Sequence, residues 1–208
     1  LTSIKWHAGE TRSKMTAFVQ ELESKTAAEL VVTVRPASGD YTAAARLFGT
    51  LLALAGLSFY LYADIEFTDD LVAPALAVLY LSATFLAKRS GALQRMLTPS
   101  ARLAANVRQA AREAFVDQGI TVTRERSGIL LYVSILERRA ELVADVGILR
   151  RDTDGTLSQT FAKVTAAVAA DRSLDDVLGA LRTTADALEK QCPRGPDDVN
   201  ELPDEVVA

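Results

Sequence analysis

One histidine and one cysteine among 208 residues remove whole classes of chemistry at the outset. Cys192 cannot close an internal disulfide and has no partner thiol for a metal or redox centre, so it fits a reducing compartment. His7 is the only imidazole available as a base for a nucleophile, and its polar surroundings suit a surface residue. Ser127-Gly128 lacks the flanking glycine pattern of a nucleophile elbow, and glycine-rich phosphate loops are absent. A basic excess is missing too: 23 Lys and Arg stand against 27 Asp and Glu, giving a net charge of −4. A surface for nucleic-acid phosphates needs the opposite balance, so nucleic acid is not an expected partner. Neither internal repeats nor low-complexity tracts are visible.

What is present is concentrated in the first half of the chain. Leu47–Ala63 and Leu71–Ala87, seventeen residues each, contain no Asp, Glu, Lys, Arg or His. As helices each would be roughly 25 Å long, the lower end of what crosses a hydrocarbon core. Core helices of a soluble domain usually keep a polar stripe; these runs have only Thr50, Ser58, Ser82, Thr84, Tyr60, Tyr62 and Tyr80, whose hydroxyls can bond within or across the pair. Pro74 falls in the first turn of the second run, where a missing N–H is tolerated. The pattern predicts a transmembrane helical hairpin over residues 44–88, surrounded by membrane lipid.

Charge sets its direction. Arg35 and Arg46 precede the hairpin, and Lys88, Arg89 and Arg95 follow it, whereas Asp64–Asp70 carries four acids and no base. The bias predicts the 64–70 loop outside and both termini in the cytoplasm. Leu1–Lys25 is broken by Lys5, Glu10, Arg12 and Lys14 and has no apolar core of a signal peptide. Gly49, Ala53 and Gly56 recur at helical spacing, so backbones can approach closely there, either within the hairpin or against a protein partner. Without an ionisable residue in either run, no ion path through this chain alone is expected.

The flanks read as one domain interrupted by the hairpin: residues 1–43, then 89–190, with an acidic proline-containing tail at 191–208. Met15, Phe18, Val19 and Leu22 mark an amphipathic helix over Glu10–Lys25. Leu30–Val34, stopped by Pro36, reads as a buried strand. Leu103, Val107, Ala111 and Phe115 predict a helix from Ser100 to Asp117, ended by Gly119. Ile129–Ile135 and Ala140–Val146 read as an antiparallel strand pair. Two closing helices follow, one striped by Leu157, Phe161, Val164 and Val168, the other by Leu174, Val177, Leu178, Leu181, Ala185 and Leu188, with Ser173 and Asp176 placed as a capping box. Helical stripes on both sides of a few strands predict an α/β/α sandwich. Building one domain from both flanks requires them on the same side of the membrane, as the charge bias independently indicates.

The run Thr123, Arg126, Ser127-Gly128-Ile129-Leu130, Ser134, Glu137-Arg138 and Ala144-Asp145-Val146-Gly147-Ile148, after the helix Ala101–Phe115, resembles the TPM domain. That fold is shared by a thylakoid-lumen phosphatase-like protein and many bacterial membrane proteins. Glu29-Leu30-Val31-Val32-Thr33-Val34 looks like the domain's first strand. Asn200-Glu201-Leu202-Pro203-Asp204 is similar to the tail of a bacterial branch that carries a membrane hairpin within the domain. The resemblance implies a mixed-sheet α/β/α sandwich in a bacterial inner membrane. Relatives are described as assembly or quality-control factors for membrane complexes, or as phosphatases or calcium binders. The Asp-x-x-Gly-like opening of many secreted relatives has no clear counterpart before Thr11.

Asp145, Asp152 and Asp154, the last followed by Gly155, are the candidate metal ligands, because closely spaced carboxylates before a turn suit calcium. The bidentate Glu that would complete a calcium loop is missing, and Asp residues at a helix N-terminus cap orphan N–H groups equally well. No cofactor is expected otherwise. Glu137-Arg138-Arg139 reads as a solvated hairpin tip. In the tail, Leu202, Val206 and Val207 are apolar anchors that a merely solvated end would not need, and are candidates to dock on the domain or on a partner. Two functions fit: an accessory or assembly protein that presents a cytoplasmic domain to a membrane-complex partner, or a weak phosphatase, with or without a metal. Few convergent polar groups favour the first.

Overall fold

The computed structural model describes residues 4–6, 8–63, 68–195 and 201–202. In chain order they form α1 (Gly9–Lys25), β1 (Glu29–Arg35), α2 (Thr42–Tyr62), α3 (Asp69–Arg89), α4 (Gly91–Leu97), α5 (Ser100–Asp117), β2 (Gly128–Ser134), β3 (Arg139–Ala144), α6 (Val146–Arg151), α7 (Thr156–Ala169) and α8 (Leu174–Gln191), with a 3-10 turn at Ile120–Val122. The chain divides into two compact units, residues 1–38 with 104–208, and residues 39–103.

The first unit is built on a three-stranded mixed sheet in the order β1-β2-β3. β1 and β2 are parallel, with Glu29 opposite Gly128 and Arg35 opposite Ser134; β2 and β3 are antiparallel, with Ile129 opposite Ala144. β1 and β2 are buried along nearly their whole length, which is why they read as apolar, β-branched runs rather than alternating ones. The two-residue period still sorts their side chains. Leu30, Val32, Val34, Ile129, Leu131 and Val133 pack with Met15, Phe18 and Leu22 of α1, Leu157 and Val164 of α7 and Leu181 and Leu188 of α8. Val31, Leu130 and Tyr132 point the other way, onto Val107, Ala111 and Phe115 of α5 and onto Ile120. The result is the α/β fold with helices on both sheet faces. A parallel pair cannot be closed by a tight turn, and the chain between β1 and β2 accommodates the whole second unit and α5.

Two local details differ from the sequence reading and a third agrees with it. β3 stops at Ala144 instead of running to Val146, because Asp145 Oδ1 accepts from Val146 N at 2.6 Å and starts α6. α4 and α6, of seven and six residues, are too short to show a periodic stripe. The capping box is formed as expected: Ser173 Oγ accepts from Asp176 N, and Asp176 Oδ2 accepts from Ser173 N, both at 3.2 Å.

In the second unit α2 and α3 pack as an antiparallel pair. Gly49 faces Tyr80 and Thr84, and Gly56 faces Leu76 and Leu79. Near the connecting loop the Tyr60 hydroxyl donates to Asp69 Oδ1 at 2.7 Å. Away from this seam, Leu47, Leu51, Leu54, Phe59, Leu61, Val78, Leu81 and Phe85 are each more than half exposed. Both helices are long and apolar enough to cross a membrane. α4 belongs to the same unit, held at an elbow after α3: Ser90 Oγ accepts from Leu93 N at 3.3 Å, and Gln94 Nε2 donates to Lys88 O at 2.6 Å.

Candidate functional site

The three acidic candidates do not converge. Asp152 lies just before α7 and serves its N-terminus: Oδ1 accepts from Leu157 N at 2.9 Å, and Oδ2 accepts from Ser158 N at 3.0 Å and Ser158 Oγ at 2.8 Å. Burial pushes the Asp152 carboxyl up, but these hydrogen bonds together outweigh burial and hold it below the ordinary carboxylate value. Asp154 Oδ1 accepts from Thr156 N at 3.0 Å and from Gln191 Nε2 at 3.2 Å; the Thr156 bonds lower its pKa. Asp145 is separated from both by α6 and faces Arg126, whose Nε stands 3.1 Å from Oδ1 and 3.0 Å from Oδ2. Among the described residues, no three His, Cys, Asp or Glu side chains gather closely enough to hold a metal ion.

The Arg126–Asp145 pair marks a tight junction. Gly147 N donates to Arg126 O at 3.0 Å. A Cβ on Gly147 would collide with the Glu125 and Arg126 carbonyl oxygens, so the start of α6 approaches the segment before β2 as only glycine permits. The motif positions Arg126, Asp145 and Gly147 thus meet in space. Arg151 at the other end of α6 reaches Glu125 at 2.6 Å.

At the opposite end of the sheet the structure corrects the reading of Glu137 as part of a solvated tip. Arg138 adopts the left-handed backbone of the turn (φ 53°), while Glu137 folds inward and is 3 % exposed. Its Oε1 accepts from Ser38 N at 2.8 Å, and its Oε2 accepts from the Ser134 hydroxyl. Ser38 Oγ donates to Ser134 Oγ at 2.7 Å and lies 3.1 Å from the Tyr132 hydroxyl. This network ties the chain leaving β1 to the β2–β3 turn. A charge in a turn signals solvent in sequence; the complementary Ser38 is 99 residues away and carries no visible signal.

Within the tail, Glu201 and Leu202 lie on the domain. Glu201 N donates to Glu29 Oε1 at 2.7 Å, Glu201 Oε2 accepts from Arg124 N at 2.9 Å, and Leu202 packs on the α5-side core. Val206 and Val207 lie outside the described residues. Gly49 and Gly56 face α3 within the hairpin, and Ala53 between them is half-buried. A cleft of about 250 Å³ runs along the outer edge of β3, with Val107 and Arg108 on one side and Thr165 and Ala169 on the other. Arg108 crosses it to Glu141 at 3.6 Å.

No family model and no curated protein matches the chain. Among solved structures, its fold is similar to the NMR structure of the BA42 protein from the psychrophilic bacterium Bizionia argentinensis. The TM-score is 0.58, over 99 % of this chain and 97 % of that one, at 14 % identity. At that identity the likeness is one of fold.

Proposed function

We propose that this chain is a membrane-anchored accessory or assembly protein, which presents a TPM-like domain to a protein partner in a membrane complex. The observation that carries this reading is the hairpin surface. A row of leucines, phenylalanines and valines on α2 and α3 faces outward. Such a continuous apolar surface on a soluble monomer would drive aggregation, whereas in lipid it is the ordinary surface of a spanning pair. In this reading the hairpin crosses a bacterial inner membrane with residues 64–70 outside, and both flanks meet in the cytoplasm to build the sandwich. The resemblance to the TPM domain supports the assignment of the folded part. The capping and pairing of Asp145, Asp152 and Asp154 supports an adaptor over an enzyme, since these carboxylates already serve the fold.

Purification in mild detergent tests the reading directly. Stoichiometric co-purification of a membrane-complex component, abolished by substitutions on the domain surface, is the expected result. A monodisperse chain without a partner that hydrolyses a simple phosphomonoester would overturn it in favour of phosphatase activity.

A further inference from the structure

We propose that the end of the hairpin formed by Arg46, Lys88, Arg89 and Arg95 is a binding site for anionic phospholipid headgroups, with α4 lying as a foot in the headgroup layer. The inference rests on the membrane reading above and adds a lipid selectivity to it.

Pairing of Gly49 with Tyr80 and Thr84, and of Gly56 with Leu76 and Leu79, fixes α2 and α3 as antiparallel. The first turns of α2 and the last turn of α3 therefore share one end. That end carries Arg46 on α2 and Lys88 and Arg89 on α3, followed by Arg95 in the last turn of α4. Its nearby acid is Asp40, whose carboxylate is engaged by Thr42 N at 2.8 Å and Thr42 Oγ1 at 2.6 Å. Those two bonds hold the Asp40 carboxyl low, and Arg46 and Lys88 contribute to it in lesser degree. One carboxylate cannot neutralise Arg46, Lys88 and Arg89 together. Arg46, Lys88 and Arg89 are exposed, and none of the ion pairs among the described residues includes them. The far end is opposite in sign, with Asp69 and Asp70 in the first turn of α3.

These cations sit directly against apolar surface. Leu47 follows Arg46 and is 53 % exposed; Phe85 and Leu86, one turn before Arg89, are similarly open. The Arg89 guanidinium lies over the Phe85 ring, 4.7 Å from its centroid. A free phosphate would satisfy the cations but leave this apolar shoulder in water. A phospholipid offers a phosphodiester and an acyl chain at that separation, which is why we assign the lipid rather than a soluble anion. The elbow supplies the second half of the site. Gln94 Nε2 donates to the Lys88 and Ala87 carbonyls, at 2.6 and 3.4 Å, two acceptors at the open C-terminus of α3. It thereby holds α4 across the helix end. Met96, 75 % exposed beside Arg95, is then an apolar side chain with nothing of this unit over it, suited to the boundary of headgroup and acyl chain.

The full chain, purified in a neutral detergent, is titrated with phosphatidylglycerol, phosphatidylcholine or inorganic phosphate while its thermal unfolding midpoint is followed. Phosphatidylglycerol should raise the midpoint, by an amount that shrinks with added salt, while phosphatidylcholine and phosphate leave it in place. Each neutralised base should weaken the apparent affinity about fivefold, the equivalent of ~1 kcal/mol. An Arg46→Gln/Lys88→Gln/Arg89→Gln variant should thus lose the shift, and the charge-keeping Arg46→Lys/Lys88→Arg/Arg89→Lys variant should retain it. Equal shifts with both lipids, a full shift with phosphate alone, or an unchanged response of the glutamine variant would each overturn the site. Flotation with vesicles separates this from the parent reading. A chain that a high-pH wash strips from both vesicle types refutes the spanning hairpin; one that stays embedded in both yet shows no phosphatidylglycerol preference refutes only the lipid site.

Discussion

Gly49 of α2 and Thr84 of α3 touch across the hairpin so closely that a Cβ on Gly49 would collide with Thr84 Oγ1 and stand 2.9 Å from the Tyr80 carbonyl oxygen. The backbone of α3 cannot yield there without losing its own hydrogen bonds. Gly49→Ala should therefore force the helices apart and destabilise the hairpin by about 1–3 kcal/mol, the usual range for overpacking. Adding Thr84→Ala should restore part of that loss, since the Tyr80 carbonyl still opposes the new methyl. Thermal unfolding in detergent measures both, and a Gly49→Ala variant as stable as the parent would show that α2 and α3 do not pack this way.

Orientation is open to a labelling experiment. Thr68 precedes α3 at the loop end, and Lys163 is an exposed residue of α7 in the folded domain. In intact cells a membrane-impermeant thiol reagent should label Thr68→Cys and spare Lys163→Cys. Cys192 is 2 % exposed and should add little background while the chain is folded. The reverse pattern would place the domain outside.

Asp152 links pH to stability. The Leu157 and Ser158 hydrogen bonds, set against burial, leave its folded carboxyl below the ordinary value. A group whose pKa is lowered on folding stabilises at pH values above its unfolded pKa and loses that contribution as pH falls through the folded one. Asp152→Ala should cost about 1 kcal/mol near neutrality, as lost helix-terminal acceptors do. The gap between variant and parent should close in acid, below about pH 4. A pH-independent gap would mean that the carboxylate charge is not what stabilises α7. Calcium offers a companion measurement on the same residues. With the carboxylates engaged as caps, added calcium should leave the unfolding midpoint unchanged, and a rise that disappears in Asp152→Asn and Asp154→Asn would reinstate a calcium site.

Glu137 has the larger structural role. Removing its carboxylate with Glu137→Ala takes the acceptor from the half-buried Ser38 N–H and from the buried Ser134 hydroxyl, which keeps only its bond from Ser38 Oγ, at about 1–3 kcal/mol in all. Glu137→Gln keeps one carbonyl acceptor and should fall between the variant and the parent. Denaturant unfolding that ranks Gln as harmful as Ala would indicate that the negative charge, not the acceptor geometry, holds the turn.

Long-period features were legible in the sequence and short or long-range polar ones were not. The stripes Met15–Leu22, Leu103–Phe115 and Leu174–Leu188 specify α1, α5 and α8 because burial of one face repeats over several turns. The apolar blocks around Gly49 and Ala83 specify α2 and α3 for a different reason, an unbroken apolar composition sustained over about five turns rather than one buried face. The four-turn signal has no equivalent in α4 or α6, where one elbow glutamine, Gln94, and one cap, Asp145, decide the structure. Asp152 and Asp154 were legible as acids before a helix, with capping and metal binding both compatible with the spacing. Only the partner atoms, Leu157 N, Ser158 N and Thr156 N, show what each oxygen does. Glu137 shows the limit most plainly: its partner Ser38 precedes the whole second unit, and no local pattern joins them.

The tail provides the last test. Leu202 packs against the α5-side core, and Glu201 bonds both to Glu29 at the start of β1 and to Arg124 before β2. Two residues far from either strand thus clasp the ends of the parallel pair. Leu202 is only half-buried, so Leu202→Ala should lose about 1–2 kcal/mol, less than a fully buried leucine would. Deleting residues 200–208 should lose more, because the Glu201 bonds go as well and leave Glu29 without its donor from Glu201. Unfolding midpoints of the two variants measure the clasp, and co-purification in mild detergent measures any contribution to partner binding. A deletion that leaves the midpoint unchanged but removes the partner would identify the tail as a partner-binding peptide. If the midpoint falls and the partner stays, the tail acts on its own domain, with Leu202 as the anchor.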